Sequence, residues 1–373
     1  MRVSLVVLFS FFSLNTFAQT DHSHRLERAL RFPDIPGFTT MKCDLHMHTV
    51  FSDGSVWPDI RVAEALWDGL DAISLTEHLE YQPHKDDIPH PDRNRSYELA
   101  LKEAKDHKLL IIRGSEITRK MPPGHNNAIF ITDANKMLIK DSIEVFREAK
   151  RQGAFTFWNH PMWTAQRRDG VSTLTDVHQL LIKEKLLDGI EVVNDLNYSD
   201  EALKIALDNN LTIMGTSDIH KLIDHQFRVP QGGHRPITLV FAKERTIDAI
   251  KEGLQNRRTV VFFNNLLIGR EEWLVPIIEA SLKIKSIKYP ERSDVATVEI
   301  ENGSSSEFIL LNKNSFTLHE HADIVTIKAG ETMTIGVKTL RRLTNLELKF
   351  EVLSAINAPQ RHPTITLKGT VTQ

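Results

Sequence analysis

Residues 41–54 read MKCDLHMHTVFSDG, and this stretch joins a short apolar strand to side chains that can bind metal. The pattern predicts a strand over residues 41–46, which ends at His46. His48 follows two positions later, so in an extended chain both imidazoles point to the same side. Asp53 adds a carboxylate shortly afterwards. Imidazole nitrogen and carboxylate oxygen are common ligands of divalent transition metals, so the stretch indicates part of a metal site.

The His-x-His pattern is a weak signal by itself, because it occurs twice more in the chain. HSH stands at residues 22–24, beside the N-terminal apolar run, and HEH stands at residues 319–321. Neither ends a strand of the predicted α/β region, so we interpret both as solvated surface. The significance of His46 and His48 therefore depends on what accompanies them elsewhere in the sequence.

Downstream of this stretch, apolar strand-like segments alternate with amphipathic helix-like segments. The predicted strands are residues 41–46, 71–76, 109–113, 127–132, 154–158, 189–193, 211–215 and 237–241. The predicted helices are residues 58–68, 94–107, 142–152, 173–185, 200–209 and 246–255. This alternation indicates a parallel α/β sheet, and the number of units favours closure into a barrel.

Beyond Trp273 the pattern changes to short strands separated by Gly and Asn turns. Strands are predicted at residues 296–300, 307–311, 324–327, 332–337 and 346–352. We therefore divide the chain into an α/β domain over residues 19–272 and a smaller, β-sandwich-like domain over residues 273–373. The sequence does not choose between a structural and a substrate-gating role for the second domain.

The N-terminus is typical of a secretory signal peptide over residues 1–18. Arg2 precedes an apolar run, and Thr16 and Ala18 stand at the −3 and −1 positions of a cut before Gln19. Outside this N-terminal segment, no apolar run reaches the ~18 residues of a membrane span, so we expect no membrane-spanning helix. The single cysteine, Cys43, cannot form an intramolecular disulfide, and we interpret it as a packing residue. A secreted chain without disulfides suits the periplasm.

Composition is that of an ordinary globular protein with 41% hydrophobic and 25% charged residues. The formal net charge of −3 gives no broad basic surface, so we expect no nucleic-acid partner.

The ligand-type residues fall at or just past the ends of predicted strands, or, for His125, just before one. In a parallel barrel the carboxyl ends of the strands meet on one face, where such enzymes place their sites. A chance gathering of so many convergent polar groups is improbable. The nine candidate metal ligands are His46, His48, Asp53, His78, Glu116, His125, His160, Asp218 and His220.

In order and spacing, these nine positions resemble the motifs of the PHP (polymerase and histidinol phosphatase) superfamily. The resemblance runs from about residue 41 to residue 261 and fills every expected ligand position. The signal peptide, the trailing β-domain and the DLHMHTxFSDG opening are, more narrowly, similar to secreted phosphodiesterases of the Sb-PDE type.

The resemblance implies a distorted (β/α)7 barrel that holds three divalent metal ions. By position, His46, His48, Glu116 and Asp218 would hold the first ion. Glu116 would bridge to a second ion, which His125 and His160 complete, and Asp53, His78 and His220 would hold the third. Zinc, manganese and iron all suit these ligands; a carboxylate at Asp53 favours a harder ion such as manganese.

A metal-bridging water that loses its proton near neutral pH would then attack phosphorus in line with the leaving oxygen. We therefore expect a metal-dependent phosphoesterase that acts on small organic phosphodiesters, with monoesters as the second possibility. Lys221 and Arg119 are candidate cations for the phosphate, although a solvated surface role is the commoner fate of such residues. Asp218 and His220 are candidate proton donors only where their metal is absent or loosely held.

Neighbouring residues offer further interpretations. Glu77 beside His78 either orients a ligand or faces the helices. Trp163, Trp158 and Tyr81 could wall a pocket for the organic group, but core packing explains Trp158 equally well.

Two functions from other classes compete with this prediction. An amidohydrolase-type enzyme would cleave a lactone, amide or ester, but it often uses a bridging carboxylated lysine, and no lysine ends a ligand-bearing strand here. A metal-storing or carbohydrate-binding module with an inert barrel is opposed by the complete ligand set. A proofreading role on nucleic acid conflicts with secretion and with the lack of a basic surface.

Overall fold

The computed structural model describes residues 28–372. The predicted signal peptide and the HSH at residues 22–24 lie outside the described residues.

Twenty strands are present in the described part of the chain. They are β1 (Thr39–Asp44), β2 (Ala72–Leu75), β3 (Leu110–Ile117), β4 (Asn126–Ile129), β5 (Phe155–Trp158), β6 (Gly189–Asn194), β7 (Asn197–Tyr198), β8 (Thr212–Thr216), β9 (Ile237–Ala242), β10 (Thr259–Phe263), β11 (Leu266–Gly269), β12 (Leu282–Lys288), β13 (Val295–Asn302), β14 (Phe308–Asn312), β15 (Thr317–His319), β16 (Ile324–Ile327), β17 (Thr332–Lys338), β18 (Asn345–Val352), β19 (Ala355–Ile356) and β20 (Thr364–Thr370).

Eight α-helices lie among the same residues. They are α1 (Pro58–Trp67), α2 (Arg95–Glu103), α3 (Glu144–Arg151), α4 (Asp176–Lys183), α5 (Asp200–Asp208), α6 (Ile223–Gln226), α7 (Ile247–Gln255) and α8 (Glu271–Ser281). Local chemistry fixes where several of them begin. Pro58 suits the first turn of α1, where no hydrogen bond from its nitrogen is needed. Ser199 and Thr246 accept hydrogen bonds from the backbone N–H groups of the first turns of α5 and α7.

One large sheet forms the frame of the site, with the strand order β19-β11-β10-β9-β1-β2-β3-β4-β5-β6-β7 and with β8 paired to β6. The pairs β1–β2, β2–β3, β5–β6 and β6–β8 are parallel, and all residues of β5, β6 and β8 are buried. Strands buried on both faces are typical of a sheet that helices cover. The predicted alternation of strands and helices is confirmed at this level.

The sheet curls because the segments that follow its first and last site-bearing strands pair with each other. Met47 and Ile219 form a parallel bridge, and the backbone N–H of Asp218 donates to the carbonyl of His46 at 2.9 Å. The residues that follow β1 and those that follow β8 are therefore neighbours, although about 170 positions separate them in the chain.

The expectation of an all-parallel barrel sheet is wrong at β4 and β9. β4 runs antiparallel to β3 and β5, and β9 runs antiparallel to β1 and β10. The reason at β4 is the short connection after Ile117, which carries no helix and therefore allows only a hairpin. The coarser prediction, an α/β fold with a curled sheet, is confirmed.

Two four-stranded sheets build the C-terminal region, in the orders β12-β13-β17-β15 and β16-β14-β18-β20. In β13 and β18 buried residues alternate with more exposed ones, as expected when one face of each sheet meets a shared core. β19 departs from this pattern, since it pairs with β11 of the large sheet. All five predicted C-terminal strands are present; β12, β15, β19 and β20 were not predicted.

The sequence interpretation also missed the hairpin of β10 and β11. Asn264 and Asn265 connect these strands, both with positive φ (51° and 62°), which is the geometry of a two-residue hairpin turn. Among the described residues, no helix combines the length and the apolar character needed to cross a bilayer. Cys43 is buried in β1, as its interpretation as a packing residue requires.

Candidate metal centre

The predicted ligands gather at one edge of the curled sheet. His46 and His48 follow β1, and His78 follows β2. His160 follows β5, and Asp218 and His220 follow β8. The carboxyl ends of these parallel strands share that edge, which is why residues far apart in the sequence meet there.

His125 reaches the same edge by another route. It stands directly before β4, and because β4 runs antiparallel to β3, the start of β4 lies beside the end of β3. Glu116, near the end of β3, is therefore next to His125, with Nδ1 of the imidazole 3.0 Å from Oε1 of the carboxylate. The antiparallel strand that breaks the expected barrel pattern is thus what places this ligand.

A first group of ligand atoms consists of His46 Nε2, His48 Nε2 and Asp218 Oδ1. The two imidazole nitrogens are 3.1 Å apart, and each lies 3.1 Å from the carboxylate oxygen. Glu116 completes the group, with its oxygens 3.8 Å from His46 Nε2 and 3.5 Å from His48 Nε2. Four donors that converge in this way can bind one cation between them.

A second group forms on the other side of Glu116. Its Oε1 lies 3.0 Å from His125 Nδ1 and 3.6 Å from His160 Nε2. His160 has a positive φ of 31°, which residues other than glycine seldom adopt. Asp218 does the same with a φ of 48°. Strained backbone of this kind concentrates at functional sites, where the surrounding structure holds it.

The third group is Asp53, His78 and His220. Asp53 Oδ1 lies 3.1 Å from His220 Nε2 and 3.5 Å from His78 Nε2. Gly54 makes this position possible, because a Cβ on it would stand 2.7 Å from the carbonyl carbon of His48. The turn that carries Asp53 therefore packs directly on the backbone of a ligand of the first group.

The donor atoms fit metal ions better than they fit each other. Several are buried and lack a hydrogen-bond partner although a complementary charge is near. These atoms are Asp53 Oδ1, Glu116 Oε2, His125 Nδ1 and Asp218 Oδ1. Buried polar atoms without partners are rare in proteins, so their concentration here fits a site that binds cations. His-carboxylate groups with ligand atoms within 4.8 Å of one another occur three times in this region.

Glu191 is the functional residue that the sequence interpretation missed. It lies in the middle of β6, fully buried, and its Oε1 accepts from His46 Nδ1 at 2.8 Å and from Thr216 Oγ1 at 2.6 Å. Its Oε2 accepts from the backbone N–H of His160 at 2.7 Å and from Asn194 Nδ2 at 2.8 Å. A carboxylate that holds the far nitrogen of a ligating histidine fixes the tautomer and the orientation of the ring. A charged residue inside an otherwise apolar strand was the available signal.

Two further polar residues position the ligands. Asn159 Nδ2 donates to Glu116 Oε1 at 2.8 Å. Glu77 accepts from Ser52 Oγ at 2.5 Å and from Thr49 Oγ1 at 2.5 Å, and Ser52 Oγ lies 3.2 Å from His48 Nδ1. Of the two roles considered for Glu77, the structure favours the one in which it orients a ligand. Glu77 contacts the loop after β1, and the Ser52 hydroxyl connects it to His48.

Carboxylates determine the protonation of two histidines. Burial lowers the pKa of His46, but Asp218 and Glu191 outweigh it and raise the pKa to about 10. Burial likewise lowers the pKa of His78, and Glu116 together with a neighbouring aspartate raises it to about 11. In the metal-free protein both rings are therefore positively charged imidazolium groups at neutral pH.

Other members of the centre shift in the opposite direction. Burial, His220 and His78 together lower the pKa of His48 to about 3, so this ring is neutral and ready to act as a ligand. Burial raises the pKa of the Glu116 and Asp218 carboxyls, but the surrounding histidines outweigh it and hold both below their ordinary values. Both carboxylates are therefore ionised.

A cavity of about 460 Å³ opens over the three groups of ligands. Lys221 and Trp163 lie in its wall, as the sequence suggested. Trp158 is buried instead and stacks on His178 with ring centroids 3.9 Å apart. Tyr81 is exposed beside His78 and is not among the residues that line the cavity.

Arg119 lies away from the cavity wall. Its guanidinium forms an ion pair with Glu80 and donates to the carbonyl of Ile139. A role in binding phosphate would require it to leave these partners. Arg235, which the sequence places after the last site-bearing loop, is fully buried between Asp44 and Asp68 and braces the fold there.

Comparisons with known families give two matches to this chain. The PHP domain family matches residues 44–314, and an Ig-like domain family matches residues 282–368. No curated protein matches the chain.

Two solved structures illustrate the range of similarity. The chain is 44% identical to a two-domain protein from Bacteroides vulgatus containing a predicted PHP-like metal-dependent phosphoesterase, with a TM-score of 0.85. That match covers 91% of this chain and 98% of the other. A putative metal-dependent phosphoesterase from Bifidobacterium adolescentis is 17% identical, with a TM-score of 0.39, over 50% of this chain and 90% of the other.

Proposed function

The chain belongs to the PHP domain family, and from that membership we propose that it hydrolyses small organic phosphodiesters with the help of three divalent metal ions. The observation that carries the proposal is the convergence of nine imidazole and carboxylate side chains under one cavity. Among their donor atoms, Asp53 Oδ1, Glu116 Oε2, His125 Nδ1 and Asp218 Oδ1 are buried without a hydrogen-bond partner, which supports a role in binding cations.

The three groups of ligand atoms give the proposed assignment. His46, His48 and Asp218 would hold the first ion, and Glu116 would be shared between the first ion and the second. His125 and His160 would complete the second site, and Asp53, His78 and His220 the third. Nitrogen and oxygen donors suit zinc, manganese and iron.

When bound, divalent ions at such sites lower the pKa of water and withdraw charge from phosphate oxygens. The chain's own residues prepare the site for that chemistry. Glu191 holds His46 with Nε2 toward the cavity, and Asn194 donates to Asp218 Oδ2 at 3.2 Å. Ligands held in this way need no rearrangement during the reaction, which lowers its barrier.

The proposed preference for a diester over a monoester rests on the narrower resemblance to phosphodiesterases of the Sb-PDE type. Within residues 28–372, Lys221 is the one side chain of permanent positive charge that lines the cavity, and Asp195 faces it with a carboxylate. A phosphodiester carries one negative charge at neutral pH, which its two non-bridging oxygens share. Lys221 is the proposed contact for a non-bridging oxygen of the diester. A role of Arg119 in binding phosphate stays a prediction.

The test compares two chromogenic esters. Protein reconstituted with manganese or zinc is expected to release nitrophenolate from bis(4-nitrophenyl) phosphate faster than from 4-nitrophenyl phosphate. His46→Ala removes a ligand of the first ion and should abolish both turnover and the corresponding bound metal. Without this ligand the first ion is no longer held, so we expect turnover to be lost rather than slightly reduced.

The chain offers a matched control in its second described His-x-His. His319 is 45% exposed on the edge strand β15, so His319→Ala should leave metal content and turnover unchanged. If both phosphate esters were inert while lactones or carboxylic esters turned over, the amidohydrolase-type alternative would replace the proposal. If no transition metal remained bound after reconstitution, both enzyme proposals would fail.

We further propose export to the periplasm, on the strength of the apolar run and the small residues before Gln19. The expected result is a mature chain that begins at Gln19 in a periplasmic fraction, read by N-terminal sequencing. A full-length chain in the cytoplasmic fraction would contradict it.

A further inference from the structure

We propose that the alcohol part of the substrate is small and rich in hydroxyl groups, as in a glycerol or sugar ester, and that Asp195, Gln226 and Trp163 bind it. This inference rests on the proposed phosphoesterase function and adds the class of substrate. It follows from the wall of the cavity beyond the metal ligands.

The composition of that wall is unusual for a ligand site. Small-molecule pockets are mostly apolar, with a few polar groups that fix orientation. Here no aliphatic side chain lines the cavity, as far as residues 28–372 are concerned. The lining residues other than the metal ligands are Trp163, Asn194, Asp195, Asn197, Lys221 and Gln226. A polyol would therefore find several hydrogen-bond donors and acceptors there, beside the ring of Trp163.

One side of the cavity holds a prepared acceptor. Asp195 directly follows β6 with a positive φ of 51°, and its backbone N–H donates to the carbonyl of Thr216. Gln226 Nε2 donates to Asp195 Oδ1 at 2.8 Å, and this fixes the carboxylate relative to α6. The second carboxylate oxygen and the amide oxygen of Gln226 remain able to accept from substrate hydroxyls. Asn197 adds an amide at the start of β7.

Another part of the wall is an aromatic surface. Trp163 is 44% exposed although its ring touches two metal ligands, with centroids 5.0 Å from His160 and 5.6 Å from His125. Its backbone N–H donates to the carbonyl of His160 at 2.8 Å, so the turn that carries the ring is tied to the centre. An aromatic face supplies apolar contact to the C–H groups of a polyol while hydroxyls point elsewhere.

These two parts of the wall together discriminate between alcohols. When a hydroxyl-bearing group enters, Asp195 exchanges water for a hydrogen bond to the substrate. When a plain alkyl group enters, the same carboxylate loses water and gains nothing, and such unpaired polar groups are the usual source of rejection. The expected discrimination is roughly 10- to 100-fold, as for one or two hydrogen bonds to a charged group.

The experiment uses two diesters that share a nitrophenolate leaving group and differ only in hydroxyls. These are 3,4-dihydroxybutyl 4-nitrophenyl phosphate and butyl 4-nitrophenyl phosphate, in which no hydroxyl can attack phosphorus through a five-membered ring. With the manganese-loaded full chain, we expect kcat/KM to favour the diol ester roughly 10- to 100-fold. In Asp195→Ala and in Gln226→Ala this ratio should fall toward one, through a higher KM for the diol ester.

Leu196→Ala is the matched control, because Leu196 belongs to the same turn but is 55% exposed and does not line the cavity. It should keep the preference of the unmodified protein. Equal turnover of both esters, or a ratio that Asp195→Ala leaves intact, overturns the inference while the phosphoesterase function stands. If neither ester is hydrolysed, the proposed function fails and the inference fails with it.

Discussion

Replacing Glu191 by Gln tests how the metal centre is held, because the change keeps the shape of the side chain and removes only charge and one acceptor. All four groups around the carboxylate are donors to it. An amide can accept at one end only, so its NH₂ must face two of those donors. Glu191 is fully buried, so water cannot relieve the conflict.

Either orientation of the amide has a cost. If NH₂ faces His160, a backbone N–H that cannot reverse is left without an acceptor. If NH₂ faces His46, the imidazole must accept at Nδ1 and carry its proton on Nε2, the atom that points at Asp218. The first outcome costs about 1–3 kcal/mol of stability, and the second removes a metal ligand. Mutation of such supporting groups lowers metal affinity roughly 10- to 100-fold, and we expect a loss in that range.

Glu191 also stabilises the proton on His46, and this proton competes with the metal ion for the ring. Glu191→Gln therefore weakens proton binding as well as metal binding. A divalent ion carries twice the charge of a proton, however, and should lose more from the same change. The assay is competition for manganese with a chelating dye, together with thermal unfolding of the metal-free protein. Asp188→Asn is the control, because Asp188 directly precedes β6, at the opposite end of that strand, and its carboxylate accepts hydrogen bonds from Thr156. An unchanged manganese affinity in Glu191→Gln would refute the reasoning.

Three further predictions follow from the geometry. In Gly54→Ala the new methyl carbon would stand 2.7 Å from the carbonyl carbon of His48, so the turn must move and elemental analysis should find fewer metal ions per chain. Arg61→Met removes the guanidinium that joins α1 to the loops after β1 and β8, and urea denaturation should show a loss of about 3–5 kcal/mol. His46 and His78, with pKa values raised to about 10 and about 11, must lose protons when metal binds, so affinity should rise with pH and calorimetry in two buffers should detect proton release.

The two substitutions have matched controls, and each of the three predictions has a contrary result. Gly303→Ala introduces a methyl group whose nearest neighbour is 3.9 Å away, and it should keep the full metal content. Arg147→Met removes exposed ion pairs and should leave the midpoint of urea denaturation nearly unchanged. A full complement of metal in Gly54→Ala, equal stability of the two arginine variants, or a metal affinity independent of pH would each contradict the corresponding prediction.

Local patterns in the sequence were sufficient for the elements and for the ligand types. The period of the apolar residues predicted the strands that carry the site and the helices between them, because burial of one face requires that period. Nine ligand-type residues were identified because they interrupt apolar strands at or near their ends. The β10–β11 hairpin was within reach of the same method, since Asn264 and Asn265 are typical turn residues.

Other features depend on contacts between distant segments. Whether Arg119 faces phosphate or pairs with Glu80 depends on how two loops pack, and no pattern near either residue encodes that. The same is true of Asp195 and Gln226, which are 31 positions apart and meet only because α6 lies over the end of β6.

The chain by itself therefore determined which atoms are available to bind metal and which strand ends present them, because both follow from residue type and periodicity. Only the tertiary structure decided how those atoms are supported. The reversal of β4 brings His125 to Glu116, and the buried Glu191 reaches His46 across 145 positions. Such support arises from the curling of the sheet, which brings together side chains whose separation in sequence carries no signal.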